Sequence, residues 1–211
     1  LTVNLSSKSV PSLWFSYEMS PWSLQNKFEK MTKEKVLVYT PSKKLQTDPK
    51  YIEHMIKKAV DIHACKTIFI DHLEYLATRA DAAKTSYYTD QGFTVRQLKQ
   101  IAVNQKVIIF LLSQTRKFGR DELITKDSIK GGQSIQSEAD YIIMMERVRE
   151  QEEKRTGAAG LLPGLIKKRK RYTNFTNLFL DKNRHYGECP AITMMMKNEV
   201  FVPVDTRHHE E

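Results

Sequence analysis

Cysteine is scarce in this 211-residue chain. Cys65 and Cys189 stand far apart and neither belongs to a Cys-x-x-Cys pair. That removes support for zinc ligation and for a disulfide framework, and leaves reduced, structural thiols. Long apolar runs are missing as well. No segment approaches the roughly 20 apolar residues that span a bilayer, and the first residues carry no signal-peptide pattern. The expectation is a soluble, intracellular protein with no membrane partner. Glycine is sparse too. None of the eight glycines, at 92, 119, 131, 132, 157, 160, 164 and 187, is followed by lysine. These residues therefore contain no Gly-x-x-x-x-Gly-Lys-Ser/Thr loop, whose amides and lysine cradle β- and γ-phosphates. No internal repeat stands out.

What the chain has is positive charge and a set of short apolar runs. With 40% hydrophobic and 28% charged residues it can bury the core of one sizeable α/β domain, read here as a single domain over residues 1–211. A formal charge of +9 suits a polyanionic partner, and the densest basic runs lie in the second half. The run around which the rest is organised is Thr67-Ile68-Phe69-Ile70-Asp71-His72-Leu73. It reads as a strand buried on both faces that delivers Asp71 to its C-terminal end. In an open parallel sheet that edge is where ligands bind, so Asp71 is placed to hold Mg²⁺, directly or through water, on a nucleotide phosphate.

Other units repeat this pattern. Ser12–Glu18 is a strand ending in an acid, and Ser20-Pro21 caps a helix carrying Leu24, Phe28 and Met31. Lys35–Tyr39 is a second strand. Asp48-Pro49 opens a helix with Ile52, Met55, Ile56, Ala59 and Val60 on one stripe. Residues 77–92 read as a loop or short helix, and Thr94 as the cap of a helix bearing Val95, Leu98, Ile101 and Ala102. Val107–Leu112 is a strand ending in Ser113-Gln114. Strand–helix–strand repeats imply parallel strands with right-handed crossovers, so Glu18, Asp71 and Gln114 should gather along one edge. Residues 117–132 read as an exposed loop and Ala139–Met145 as a strand. Residues 150–172 read as a flexible basic insertion, and Asn177–Val204 as antiparallel strands around a turn at Gly187.

Five segments in order, Phe15-Ser16-Tyr17-Glu18-Met19-Ser20, Ile70-Asp71-His72-Leu73, Leu112-Ser113-Gln114-Thr115-Arg116, Ser134–Asp140 and Lys182-Asn183-Arg184-His185-Tyr186-Gly187, resemble the RecA-like motor domain of the DnaB family of replicative helicases. The resemblance implies an α/β fold, a RecA-like P-loop NTPase core with a mostly parallel sheet flanked by helices and C-terminal antiparallel strands. It implies ATP and Mg²⁺ as ligands. Glu18 would be the general base for the water attacking the γ-phosphate, Asp71 the acid on Mg²⁺, and Gln114 the γ-phosphate sensor, with Arg116 also at the nucleotide. Lys182 and Arg184 would reach a neighbouring subunit's nucleotide, which requires a ring, a homo-hexamer. Lys117, Arg120, Lys126 and Lys130 would grip single-stranded DNA. A primase or helicase loader is an expected partner, and the cytoplasm of a bacterial or phage-infected cell, or an organelle, the expected location.

The chain departs from that pattern in lacking the phosphate cradle. In the family it precedes the helix before the Phe-Ser-x-Glu-Met strand, so residues 1–7 are read as the tail of that helix in an N-terminally truncated motor, inactive as a fragment. The alternatives are a recombinase-type or loader ATPase of the RecA group, and a non-catalytic nucleic-acid-binding ring protein.

Overall fold

In the computed structural model, all residues are described except 34–35, 37, 41–46, 77–86, 117–123, 130–132, 157–164, 188–189, 198–199 and 205–211; the side chains of 87–90, 134, 151–156 and 165–171 are also left out. Where the sequence reading treats the chain as one domain, its contacts group into two compact units, residues 1–140 and 141–211.

The first unit is built on a parallel sheet of four strands, β1 (Ser12–Ser16), β2 (Val38–Tyr39), β3 (Thr67–Asp71) and β4 (Ile108–Leu111), in the order β2-β1-β3-β4. Helices cover both faces. On one, Leu13 and Phe15 of β1 and Ile68 and Ile70 of β3 meet Ile52, Ile56 and Ala59 of α3 (Pro49–His63) and Leu98 and Ile101 of α5 (Tyr87–Gln105). On the other, Trp14, Phe69 and Phe110 form a ladder of rings, with centroids 4.6 and 5.0 Å apart. Phe28 of α2 (Pro21–Met31) packs edge-on against Trp14, and the Trp14 indole N–H donates to Thr2 Oγ1 of the short α1 (Thr2–Ser6) at 3.1 Å. Alternate residues of each strand therefore serve opposite layers, which is why these runs are apolar throughout rather than alternating.

The helix starts follow local chemistry. Ser20 Oγ accepts from the Ser23 amide ahead of Pro21, and Asp48 Oδ1 accepts from the Lys50 amide ahead of Pro49. Helix α3 ends through Ala64 at φ 52°, with its N–H on Val60 O. Two boundaries differ from expectation. Thr94 does not cap α5 but lies inside it, because Gln91, Thr94 and Val95 are all buried and this packing carries the helix back through Gly92 to Tyr87. A glycine inside a helix costs about 1 kcal/mol, small beside such burial. β2 is confined to Val38–Tyr39 among the described residues. The short α4 (Leu73–Leu76) and α6 (Gln133–Glu138) complete the unit. Arg96 and Lys99 of α5 pair with Glu138 and Asp140.

The second unit is an antiparallel meander, β5 (Tyr141–Thr156), β6 (Leu165–Asn183), β7 (Ala191–Lys197) and β8 (Val200–Pro203). Here the expectation of a loop over 150–172 is corrected: 150–156 and 165–172 are paired strands, with Glu150 opposite Arg171, Glu152 opposite Arg169 and Glu153 opposite Lys168. The register thus sets acidic positions opposite basic ones, a pattern that hydropathy does not reveal. No described helix is long and apolar enough to cross a membrane.

Candidate functional site

Strands β1, β3 and β4 all finish at the same edge, since Ser16 lies beside Asp71 and Ile70 beside Leu111. The backbone ties continue past the strands: Tyr17 N–H donates to Asp71 O at 2.8 Å and Leu73 N–H to Leu112 O at 2.9 Å. The turn leaving β1 is held by Ser16 Oγ, which accepts from the Met19 amide at 3.2 Å.

Glu18, Asp71 and Gln114 are thereby brought together, and His72 stands between them. Its Nδ1 is 3.6 Å from Glu18 Oε2 and 3.8 Å from Asp71 Oδ1. On the other side of the ring, Nε2 is 3.5 Å from Gln114 Nε2 and 3.5 Å from Glu74 Oε2. His72 is buried, with Tyr75 edge-on to its ring. The Glu18 side chain is 58% exposed, so the cluster opens to solvent on that side.

Sequence reasoning missed two members of this cluster. His72 lies inside the quoted Ile70–Leu73 segment, but nothing in the pattern says where its ring goes. Glu74 was not singled out at all. Its Oε1 accepts from the Gln114 amide at 3.1 Å and from Ser113 Oγ at 3.3 Å, while its buried Oε2 has no hydrogen-bond partner among the described residues. A carboxylate one helical turn from the strand end is the only signal that could have marked it.

Burial pushes the Asp71 carboxyl above its ordinary range and the neighbouring Glu18 carboxylate pushes the same way, with His72 and Lys27 opposing. Two carboxylates crowded at a half-buried edge are an arrangement that a divalent cation relieves. One oxygen each from Glu18 and Asp71 and one nitrogen from His72 lie within 4.8 Å of one another. A hard cation taking one or two carboxylates suits the Glu18 and Asp71 oxygens of that set.

The other expected residues fall elsewhere. Arg116 is exposed two residues beyond Gln114, where its amide donates to Ser128 O at 2.9 Å. Lys126 is exposed at the start of a single 3₁₀ turn, Lys126–Ser128, whose first carbonyl accepts from Gln136 Nε2. Lys117, Arg120 and Lys130 lie outside the described residues. Lys182 and Arg184 belong to the second unit. Lys182 sits on β6 opposite Ile142, and Arg184 follows in a turn where Asn183 Oδ1 accepts from the His185 and Tyr186 amides and Gly187 takes φ 71°. That left-handed backbone favours glycine.

No curated protein matches the sequence. Among solved structures, a DnaB-like replicative helicase described with its interactions with primase matches with a TM-score of 0.73 at 14% identity, over 97% of this chain and 53% of that one, so the chain spans about half of that helicase's length. A second solved structure, described as an ATPase domain, matches with the same score, 0.73, at 16% identity, over 97% and 78% of the two chains. A KaiC-like protein from Pyrococcus horikoshii scores lower, 0.58 at 14% identity over 97% and 80%. These likenesses establish the RecA-like fold. The family model of the DnaB-like helicase C terminal domain matches residues 18–202, most of the chain, from the glutamate that follows β1 to the last strand of the meander. The chain belongs to that family.

Proposed function

We propose that this chain is the motor part of a hexameric, ATP-dependent DNA helicase that acts in replication, hydrolysing ATP at subunit interfaces and moving along single-stranded DNA. The observation that carries the reading is the gathering of Glu18, Asp71 and Gln114 around His72 at the carboxyl edge of a parallel sheet. Membership of a helicase family and the RecA-like fold support it.

In this reading Glu18, at the exposed lip of the cluster, orients the attacking water and takes its proton. Asp71 would hold Mg²⁺, whose charge offsets that of the β- and γ-phosphate oxygens when it is bound. Gln114 both donates and accepts, so it can register the γ-phosphate and pass its loss to the following segment, with Arg116 nearby on the same stretch. Lys182 and Arg184 serve the neighbour's nucleotide, and Lys117, Arg120, Lys126 and Lys130 track the DNA backbone. A primase is a candidate partner because the matching helicase is described with one.

The test uses a protein that carries this domain together with a Gly-Lys-Ser/Thr cradle. Glu18→Gln should lower ATP turnover by about 10²-fold or more while nucleotide binding persists. Unchanged turnover would remove Glu18 from its role. Single-stranded DNA binding with no ATP hydrolysis by that protein would favour instead a nucleic-acid-binding ring protein without turnover.

A further inference from the structure

Strands β5 and β6 outrun their sheet. β7 pairs with β6 only over Phe175–Phe179, yet β5 and β6 stay paired out to Thr156 and Leu165. The outer stretch is thus a two-stranded ribbon with no third strand beside it among the described residues. Such a ribbon has no core of its own and is only marginally stable in isolation.

Its composition makes that harder. Residues 147–156 and 165–172 contain nine Lys or Arg against three Glu, a net +6 of the chain's +9. In the backbone register Glu150, Glu152 and Glu153 lie opposite three of the bases, while Gln151 lies opposite Lys170 and Lys154 opposite Lys167. A net +6 along so short a ribbon suits a polyanion, whose binding releases counterions.

The foot of the ribbon carries a second, independent feature. Tyr172 is 52% exposed, and the guanidinium carbons of Arg147 and Arg149 lie 5.5 and 5.0 Å from its ring centroid. Arg147 is held there by a 2.7 Å bond from its Nε to Thr173 O. The two guanidiniums lie over the ring, and its remaining exposed part can take an unpaired base with their donors close by for the adjoining phosphates. A membrane surface offers no base to stack on the ring, and duplex DNA offers no free base face along its length.

We propose that this ribbon is a binding site for single-stranded DNA in addition to residues 117–132, with Tyr172 stacking a base and the basic strands following the backbone. The inference needs neither a nucleotide nor a ring and stands whether or not the motor reading holds. It is tested by fluorescence anisotropy of labelled oligo-dT with the chain, without nucleotide, between about 50 and 200 mM salt. Combined Lys167→Gln, Lys168→Gln, Arg169→Gln, Lys170→Gln and Arg171→Gln should flatten the slope of log affinity against log salt by up to about 3.5, at roughly 0.7 per phosphate contact. Tyr172→Ala should weaken binding about 5- to 150-fold with the slope unchanged, as loss of one stacked base does, whereas Tyr172→Phe should bind like wild type. A wild-type slope in the five-fold variant, or wild-type affinity in Tyr172→Ala, overturns the proposal. So does an equal loss by Tyr172→Ala of binding to duplex DNA or to phosphatidylserine vesicles.

Discussion

Replacing Glu74 with alanine should loosen Gln114 without unfolding the sheet behind it. Oε1 of Glu74 accepts from the Gln114 amide and from Ser113 Oγ, at 3.1 and 3.3 Å. Bonds to a charged acceptor contribute about 1.5–3 kcal/mol each. Ser113 and Gln114 are exposed, however, so water replaces what is lost and the lower figure applies to local opening. About 1.5 kcal/mol corresponds to roughly a tenfold faster exchange of the Gln114 amide hydrogen. The global cost is smaller, because the same substitution removes a buried oxygen, Oε2, that lacks a hydrogen bond among the described residues. Residue-resolved hydrogen exchange reads both quantities. Glu74→Ala should accelerate Gln114 about tenfold and leave the β3 and β4 amides protected, while Glu74→Gln, which keeps an acceptor, should fall between it and wild type. A Gln114 amide within about twofold of wild type in Glu74→Ala, or equal acceleration throughout β3 and β4, would refute the assignment of Glu74 as the support of this loop.

Two further outcomes follow from charge and burial. Because the folded Asp71 carboxyl titrates above the ordinary 3.8, the unfolded chain loses its proton first as pH rises, and stability falls until the folded carboxyl has also ionised. Asp71→Asn should therefore raise the melting temperature at pH 7 and give no gain below about pH 3; a variant less stable than wild type at neutral pH would contradict this. Burial pushes the Cys65 thiol up to about 11, so in a Cys189→Ser background iodoacetamide at mildly alkaline pH should label Cys65 only once denaturant has unfolded the chain. Stability should fall as pH rises from the ordinary value of 9 toward that figure, since the unfolded thiol ionises first. Rapid labelling of the native protein would refute the burial argument.

Much of the first unit was legible because its signals are local. Ser20-Pro21 and Asp48-Pro49 combine a side-chain acceptor with a residue that needs no amide partner, and both mark real helix starts. Thr94 failed as a cap because a threonine side chain can serve a helix end or a helix interior, and burial against neighbours decided for the interior. The ribbon of β5 and β6 was illegible for the opposite reason. Its strands carry charge where strands usually carry apolar side chains, and what identifies them is a pairing of Glu150, Glu152 and Glu153 with bases 15 to 21 positions away.

The candidate site divides in the same way. Glu18, Asp71 and Gln114 could be picked out because each follows an apolar run, and a parallel sheet delivers such ends to one edge. His72 and Glu74 could not, since their places depend on how the chain turns after β3 and on the tie between Leu73 N–H and Leu112 O. The two sets nonetheless share one cause. Phe15 and Ile70 are fully buried on the face that meets α3 and α5, and they lie side by side in the ladder. Sliding β1 by one residue against β3 would turn its buried side chains to the wrong layer. That burial leaves Ser16 beside Asp71 and sets Glu18 beside the imidazole that follows. The polar cluster is therefore held in register by apolar side chains that never touch a ligand, and a substitution in that core should disturb the spacing of Glu18 and Asp71 before it changes the chemistry of either.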